Sequence, residues 1–386
     1  MININPTFFD AIGTADMERV HSGVISWLLS SKCQAFTITE QSNILNSLFG
    51  IQNGTTYKTI EPCLEYDHID IYIKTTDEHN NDKEWIIENK VKSSQGDNQL
   101  SNYQNNTNIN GANAHFLLLT LIDEHPKASN WENKKYSDLS TILRNQSRGG
   151  RNAAHCAIID EYIKTIEQLS NLAKYFIANP QDYPNVFTDA SLKKSKKRRN
   201  HYQPFTLQYI SDNNLETLLQ KLYFTKVKEL IKQDVESKLG SKNYEWQIGE
   251  THGNAEIVIK FIPVNDEIQF DIAFQNGTFK YAVSKDYGDT KNKDANKAEI
   301  ERNWVPALEQ ILNNQRSSAN IKLRKPRSRA RVSITKEWKK DWWKQPIDDV
   351  ANAIKTEFAK IADFERAVKN NAQKTFSDRT TPTKER

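Results

Sequence analysis

The patterning predicts an α/β fold class. Helix-period segments open the chain. Strand-period runs between about residues 69 and 122 are interrupted by one helical spacing. After Gly240 four strand-like runs follow one another, split by turn signals. The expected architecture is a mixed central sheet flanked by helices, then a helical segment, then a C-terminal α+β domain with an antiparallel sheet. The corresponding boundaries are 1–150, 151–240 and 241–372, with 373–386 as a disordered tail.

In order along the chain, "ADMERVHSGVISWLLSS" (Ala15–Ser31) places Val20, Val24, Trp27 and Leu28 on one stripe, an amphipathic helix. "TEQSNILNSLFG" (Thr39–Gly50) predicts a second helix, with Thr39 as its N-cap and Gly50 just past its end. "KTIEPCLEYDHIDIYIKT" leads into a strand with Ile69, Ile71 and Ile73 on one face and Asp70 and Tyr72 on the other. "KEWIIENKV" is the next strand, and the polar "TDEHNND" between them makes an antiparallel hairpin. "DNQLSNYQNN" starts a helix, "AHFLLLTLI" (Ala114–Ile122) is a buried strand, and "YSDLSTILRN" precedes another helix. A mainly helical stretch covers about 154–238. Then "YEWQIGE", "AEIVIKFIP", "EIQFDIAFQ" and "TFKYAVSKD" read as an antiparallel meander, with "NGT" (Asn276–Thr278) as one of its turns. Helical patterns return at Lys297–Asn314 and Asp348–Lys369.

With 386 residues the chain can build more than one core. Its mean hydropathy of −0.75 and the absence of a long apolar run argue against a membrane protein. No basic, then apolar, leader opens it, and Cys33, Cys63 and Cys156 are too scattered for a disulfide framework or a Cys-x-x-Cys site. A cytoplasmic protein is expected. Charge is uneven: residues 1–150 hold 18 Asp and Glu against 12 Lys and Arg, a net of −6, while residues 151–386 hold 31 against 41, a net of +10. An acidic front half and a basic back half suit a metal-using site joined to a surface for a polyanion.

The chemistry concentrates in "EWIIENKV". Ile86, Glu88 and Lys90 share one strand face, so a carboxylate and an ammonium interrupt an apolar run. Taken alone, they make an ion pair where a strand leaves the core. Asp70 lies in the neighbouring strand, again inside an apolar run, "HIDIYI". Two carboxylates buried together need a cation or a proton to compensate them. A hard divalent cation takes carboxylate and carbonyl oxygens, and a lysine beside it can position or activate water. Asp70, Glu88 and Lys90 therefore suit metal-assisted phosphodiester hydrolysis.

Asp70, the 18-residue interval, "IENK" and then Gln99-Leu-Ser-Asn-Tyr103 resemble the PD-(D/E)xK nuclease superfamily, and more narrowly its RecB-like branch with a Gln-x-x-x-Tyr helix. The upstream "ERVHSGVISWLL", with Glu18, His21 and Ser22, resembles the helix that opens one nuclease family of this group. The likeness covers about residues 15–145. It implies a restriction-endonuclease-like core, Mg²⁺ or Mn²⁺ as cofactor, and nucleic acid as substrate, DNA rather than RNA. It further implies Asp70, Glu88 and the Asn89 carbonyl as metal ligands, Lys90 as the water-activating or phosphate-contacting lysine, and Gln99 and Tyr103 as backbone-contacting residues. Glu18 and His21 are further candidates around the metal, as ligands or as support. His68 and Ile69, not Pro, stand before Asp70, a departure at a loose position of the motif. RecB-like relatives with an iron–sulfur cluster use four cysteines, so none is expected here. Stand-alone nucleases of this kind act in restriction or anti-phage defence, alone, as homo-oligomers or with a partner protein.

Two basic runs are candidate phosphate contacts: Lys193, Lys194, Lys196, Lys197, Arg198 and Arg199 in "KKSKKRR", and Lys322, Arg324, Lys325, Arg327, Arg329 and Arg331 in "KLRKPRSRAR". The second is expected as a loop because of its Pro. Trp338, Trp342 and Trp343 in "KEWKKDWWKQP" either stack on bases or belong to a helix core. His155 and Cys156 have no third partner in the sequence for nucleophilic catalysis.

Overall fold

The computed structural model of the chain describes residues 2–51, 54–91, 99–106, 108–109, 113–121, 125–148, 152–187, 205–240, 244–251, 253–261, 268–285, 293–314, 321–325 and 330–380. These divide into two compact units. One takes the described residues of Met1–Val186 and Lys197–Leu222, the other those of Phe187–Lys196 and Tyr223–Arg386. Lys193, Lys194, Lys196, Lys197, Arg198, Arg199, Arg327 and Arg329 lie outside the described residues.

The first unit is a five-stranded mixed sheet flanked by helices. Helices α1 (Phe8–Ala11), α2 (Glu18–Leu29) and α3 (Ile38–Leu48) precede strands β1 (Tyr57–Tyr66), β2 (Ile69–Asp77) and β3 (Asp82–Lys90). Helix α4 (Gln99–Gln104), strands β4 (Ala114–Thr120) and β5 (Trp131–Lys135), and helices α5 (Tyr136–Arg144) and α6 (Ala153–Ala178) follow. The strands lie in chain order. β1, β2 and β3 are antiparallel, while β4 and β5 run parallel to β3. Alternation along the strands divides the core. Ile71, Ile73, Trp85, Ile87, Leu117 and Leu119 pack against apolar residues of α2, α3, α5 and α6. On the opposite side Ile86, Phe116 and Leu118 pack against Leu100 and Tyr103 of α4, and Ile69 joins them rather than Ile71 and Ile73, a correction to the face expected for it, because it opens β2 directly after the left-handed turn.

Two local readings are corrected. The cap of α3 is Thr37, not Thr39. Its hydroxyl accepts from the Glu40 N–H, and the Glu40 carboxylate accepts from the Thr37 N–H at 2.7 Å, a reciprocal capping box. The stretch before Ile69 is not a lead-in but the edge strand β1, which tolerates Pro62 because an edge has donors to spare. Asp67 and His68 both adopt left-handed backbone, φ 49° and 68°, the geometry of a two-residue hairpin turn, here without glycine.

Beyond α6 come α7 (Pro184–Phe187), α8 (Phe205–Asp212) and α9 (Glu216–Leu239). The second unit holds the expected meander, β6 (Tyr244–Thr251), β7 (Asn254–Phe261), β8 (Ile268–Gln275) and β9 (Thr278–Lys285), turning at Asn276–Gly277 between β8 and β9. The meander is extended by β10 (Ile321–Arg324) and β11 (Arg331–Glu337), giving the sheet order β10-β11-β9-β8-β7-β6. Helices α10 (Lys293–Glu299), α11 (Val305–Asn314), α12 (Ile347–Phe358) and α13 (Ile361–Thr380) complete it. Of the segment expected as a basic loop, Lys322–Arg324 belong to β10 and Arg331 opens β11, while residues 326–329 lie outside the described residues; α13 runs past residue 372 to Thr380. No helix among the described residues is long and apolar enough to cross a membrane.

Candidate active site

β3 carries the site because it is the strand at which antiparallel pairing gives way to parallel pairing. β2 pairs with it in register as far as Ile71–Ile87, so Asp70 and Glu88 are each the next residue beyond the last pair, and the charge of Asp70 is felt at Glu88. There the ladder is replaced by a side chain: the Asn89 N–H donates to Asp70 Oδ2 at 2.8 Å. Beyond β3, the Val91 N–H donates to Glu18 Oε1 at 2.8 Å, which ties the start of α2 to the same strand end.

Glu88 is fully buried and Lys90 nearly so. Lys90 Nζ stands 2.5 Å from Glu88 Oε1, and the Gln99 amide donates to the same oxygen at 2.7 Å. The ion pair expected from the bare sequence is therefore present. It uses Oε1: Glu88 Oε2 is buried and, among the described residues, has no hydrogen-bond partner. Burial, and then the negative charge of Asp70, push the Glu88 carboxyl up to about 7 against the pull of Lys90. Burial likewise raises Asp70, opposed by the Asn89 N–H and by Lys90. Burial works against the charge on Lys90, but Glu88 and then Asp70 outweigh it and hold its pKa above the ordinary value.

Gln99 and Tyr103, one helical turn apart on α4, are brought to this cluster. The Gln99 amide also donates to the Tyr103 hydroxyl at 2.9 Å, and that hydroxyl donates to the His68 carbonyl at 2.7 Å. The Asn106 and Asn108 amides both reach Asp67 Oδ2, at 2.6 and 3.2 Å. The left-handed turn before Asp70 is thus held from α4 and the residues after it.

On the other side of β3, the Asn89 side chain donates to the Glu18 carbonyl and to Ser22 Oγ, both at 3.0 Å, and accepts from the Tyr136 hydroxyl at 2.5 Å. His21 sits behind this contact, edge-on to Tyr136. Its Nε2 lies 2.8 Å from the Ala15 carbonyl and its Nδ1 3.1 Å from the Tyr162 hydroxyl. Burial lowers its pKa to about 4, so the ring is neutral and both nitrogens are engaged. As placed, His21 supports Asn89 through Tyr136 and offers no nitrogen to a metal. Tyr136 and Tyr162 carried no signal in the sequence, since each looks like an ordinary core tyrosine.

The C-terminal candidates separate. Lys322 and Arg324 are on β10 and exposed, and Lys325 pairs with Glu309 at 3.3 Å. Arg331 is not a free phosphate contact: it pairs at 2.6 Å with Asp271, which is buried. Trp342 and Trp343 are buried, Trp342 among Phe187, Tyr223, Phe224 and Phe274. These two are core residues, which closes the base-stacking option for them. The His155 ring accepts from the Gln34 N–H at 3.0 Å and lies against Trp27, a structural placement.

Among the described residues no group of three His, Cys, Asp or Glu that could hold a metal ion is assembled. A Mg²⁺-type cation does not require one, because it keeps several waters and binds few protein oxygens. Asp70 with the orphaned Oε2 of Glu88 is a donor set of that kind. A family model described as the PD-(D/E)XK nuclease superfamily matches residues 6–209, more than half of the chain. No curated protein and no solved structure matches the chain. The chain belongs to the PD-(D/E)XK nuclease superfamily, whose members typically use divalent metals and act on nucleic acid.

Proposed function

We propose that the protein is a Mg²⁺- or Mn²⁺-dependent nuclease that hydrolyses phosphodiester bonds, with DNA as substrate, and that it lies in the RecB-like branch of the superfamily. The observation that carries this reading is Glu88 Oε2, a buried carboxylate oxygen without a hydrogen-bond partner among the described residues and within the electrostatic reach of Asp70. Leaving such an atom unpaired is costly unless a ligand completes it. Asp70, Glu88 and the Asn89 carbonyl would hold the ion. When bound, it lowers the pKa of a water and neutralises charge building on the phosphate. Lys90, held by Glu88, orients the attacking water or contacts the phosphate. Gln99 and Tyr103 fix Glu88 and the turn before Asp70. The branch assignment is supported by Gln99 donating from α4 both to Glu88 and to the Tyr103 hydroxyl. The cytoplasm and restriction or anti-phage defence are proposed as the setting on superfamily grounds alone.

The other reading is a nucleic-acid-binding or protein-interaction module that has lost catalysis. Retention of Asp70, Glu88 and Lys90 in one cluster favours the enzyme. The test is the purified chain with Mg²⁺, Mn²⁺ or EDTA against linear, circular and single-stranded DNA and RNA. Metal-dependent cutting that Asp70→Ala and Glu88→Ala abolish is expected. Cutting in EDTA, or by either variant at the wild-type rate, overturns the assignment.

A further inference from the structure

We propose that Tyr66 is a stacking platform for an unpaired nucleobase beside the phosphate to be cut, so that the substrate is single-stranded, or opened, at that point. This rests on the nuclease reading above. Tyr66 ends β1, where simple alternation would put its ring on the side opposite Tyr72. Glu65 adopts left-handed backbone, φ 56°, and breaks that alternation. The Tyr66 ring instead stacks on Tyr72, centroids 4.5 Å apart and planes 27° from parallel. Tyr72 is fixed in turn, its hydroxyl donating to Glu84 Oε1 at 2.9 Å. It lies two residues from Asp70 on the same strand face, so roughly 7 Å away, the reach of one nucleotide.

One ring of the pair is left for a ligand. Tyr66 remains 37% exposed, and Leu64, also on β1, 39%. The surroundings select what can rest there. Glu61, Glu65 and Asp67 are exposed on the same hairpin and repel phosphates, but they leave an uncharged base face unaffected. The same acidic residues disfavour a second copy of this hairpin as the occupant. Every base offers a π-face to an aromatic ring, whereas in a duplex those faces are covered by neighbouring bases.

The test uses full-length protein with Lys90→Ala in Mg²⁺, which keeps both carboxylates while slowing cleavage. Single-stranded oligonucleotides carry 2-aminopurine at successive positions. Quenching at one position is expected. Adding Tyr66→Ala should remove that quenching and weaken binding about 5- to 150-fold, while Tyr66→Phe keeps both and duplex binding is unchanged. Unaltered single-strand binding and quenching in Tyr66→Ala overturns the inference and leaves the nuclease reading standing. So does a dimer that Tyr66→Ala dissolves without changing oligonucleotide affinity. Absence of binding to single-stranded oligonucleotides with duplex binding retained overturns this inference alone; absence of binding to both overturns the nuclease reading and this inference with it.

Discussion

Glu88 answers to Lys90 on one oxygen and, among the described residues, to no hydrogen-bond donor on the other, and its protonation follows. With its pKa raised to about 7, metal-free protein holds a proton there that the unfolded chain releases near 4.5. The folded state therefore binds more protons between those values. Its stability, full below about 4.5, falls as pH rises through about 7. Thermal unfolding of metal-free protein from pH 4 to 8 should show this decline, and Glu88→Gln should flatten it. Mn²⁺ affinity should rise over the same window, since the ion competes with that proton. Lys90→Ala removes a charge beside the ion but no ligand. Calorimetry should find Mn²⁺ binding retained or tightened, while single-turnover cleavage falls by roughly 10²–10⁴. Loss of metal binding together with cleavage would make Lys90 a structural partner of Glu88 only. Lys90→Arg should rescue little, because a planar guanidinium does not replace a compact ammonium.

The β1–β2 hairpin shows how an element stores strain where a site needs it. Glu65, Asp67 and His68 all adopt left-handed backbone within four residues, and none is glycine. Each costs on the order of 1 kcal/mol relative to glycine. The Tyr103 bond to the His68 carbonyl and the two asparagine bonds to Asp67 offset this. His68→Gly keeps the carbonyl and should raise the unfolding free energy by up to about 1 kcal/mol, while His68→Val should lower it. Asn106→Ala should loosen the turn and slow cleavage by about 2- to 10-fold, the scale of one hydrogen bond, with metal affinity little changed. A stability gain in Asn106→Ala would contradict the clamp. This hairpin also marks a limit of the sequence. A type I′ turn is recognised by Asn-Gly or Asp-Gly, and Asp67-His68 carries no such mark, so β1 passed as a lead-in. By contrast, the parity of β3 was legible because one face of "EWIIENKV" must be buried whichever partner it finds. Thr37 was legible too, with Glu40 three residues on, but Thr39 stood closer to the apolar run.

Across the whole chain the charge divides as −6 in residues 1–150 and +10 beyond, and among the described basic candidates Lys325 and Arg331 are already paired, with Glu309 and Asp271. The run Lys322–Arg331 looked like a basic loop because Pro326 stands among six basic residues, whereas the strand signal lies in Val332 and Ile334, buried just after it. Neutralising Lys322 and Arg324 should flatten the salt dependence of nucleic-acid binding by about 0.9 for each phosphate left without its cation. An unchanged slope would leave them as solvated charges. Arg331→Ala should act differently, destabilising the second unit by about 3 kcal/mol because it leaves the buried Asp271 without its cation. Chemical denaturation separates the two effects.

The main-chain bond that Asp70 makes to Asn89 has a spectroscopic consequence. An amide donating to a carboxylate senses its charge through one hydrogen bond, so the Asn89 N–H is a built-in reporter for Asp70, the first of the proposed ligands. In a ¹H–¹⁵N spectrum its resonance should move as Asp70 titrates, and move again as Mg²⁺ arrives, before any substrate is present. Asp70→Asn should silence both movements. The occupancy of the site can thus be followed, atom by atom, in a protein that is not turning over.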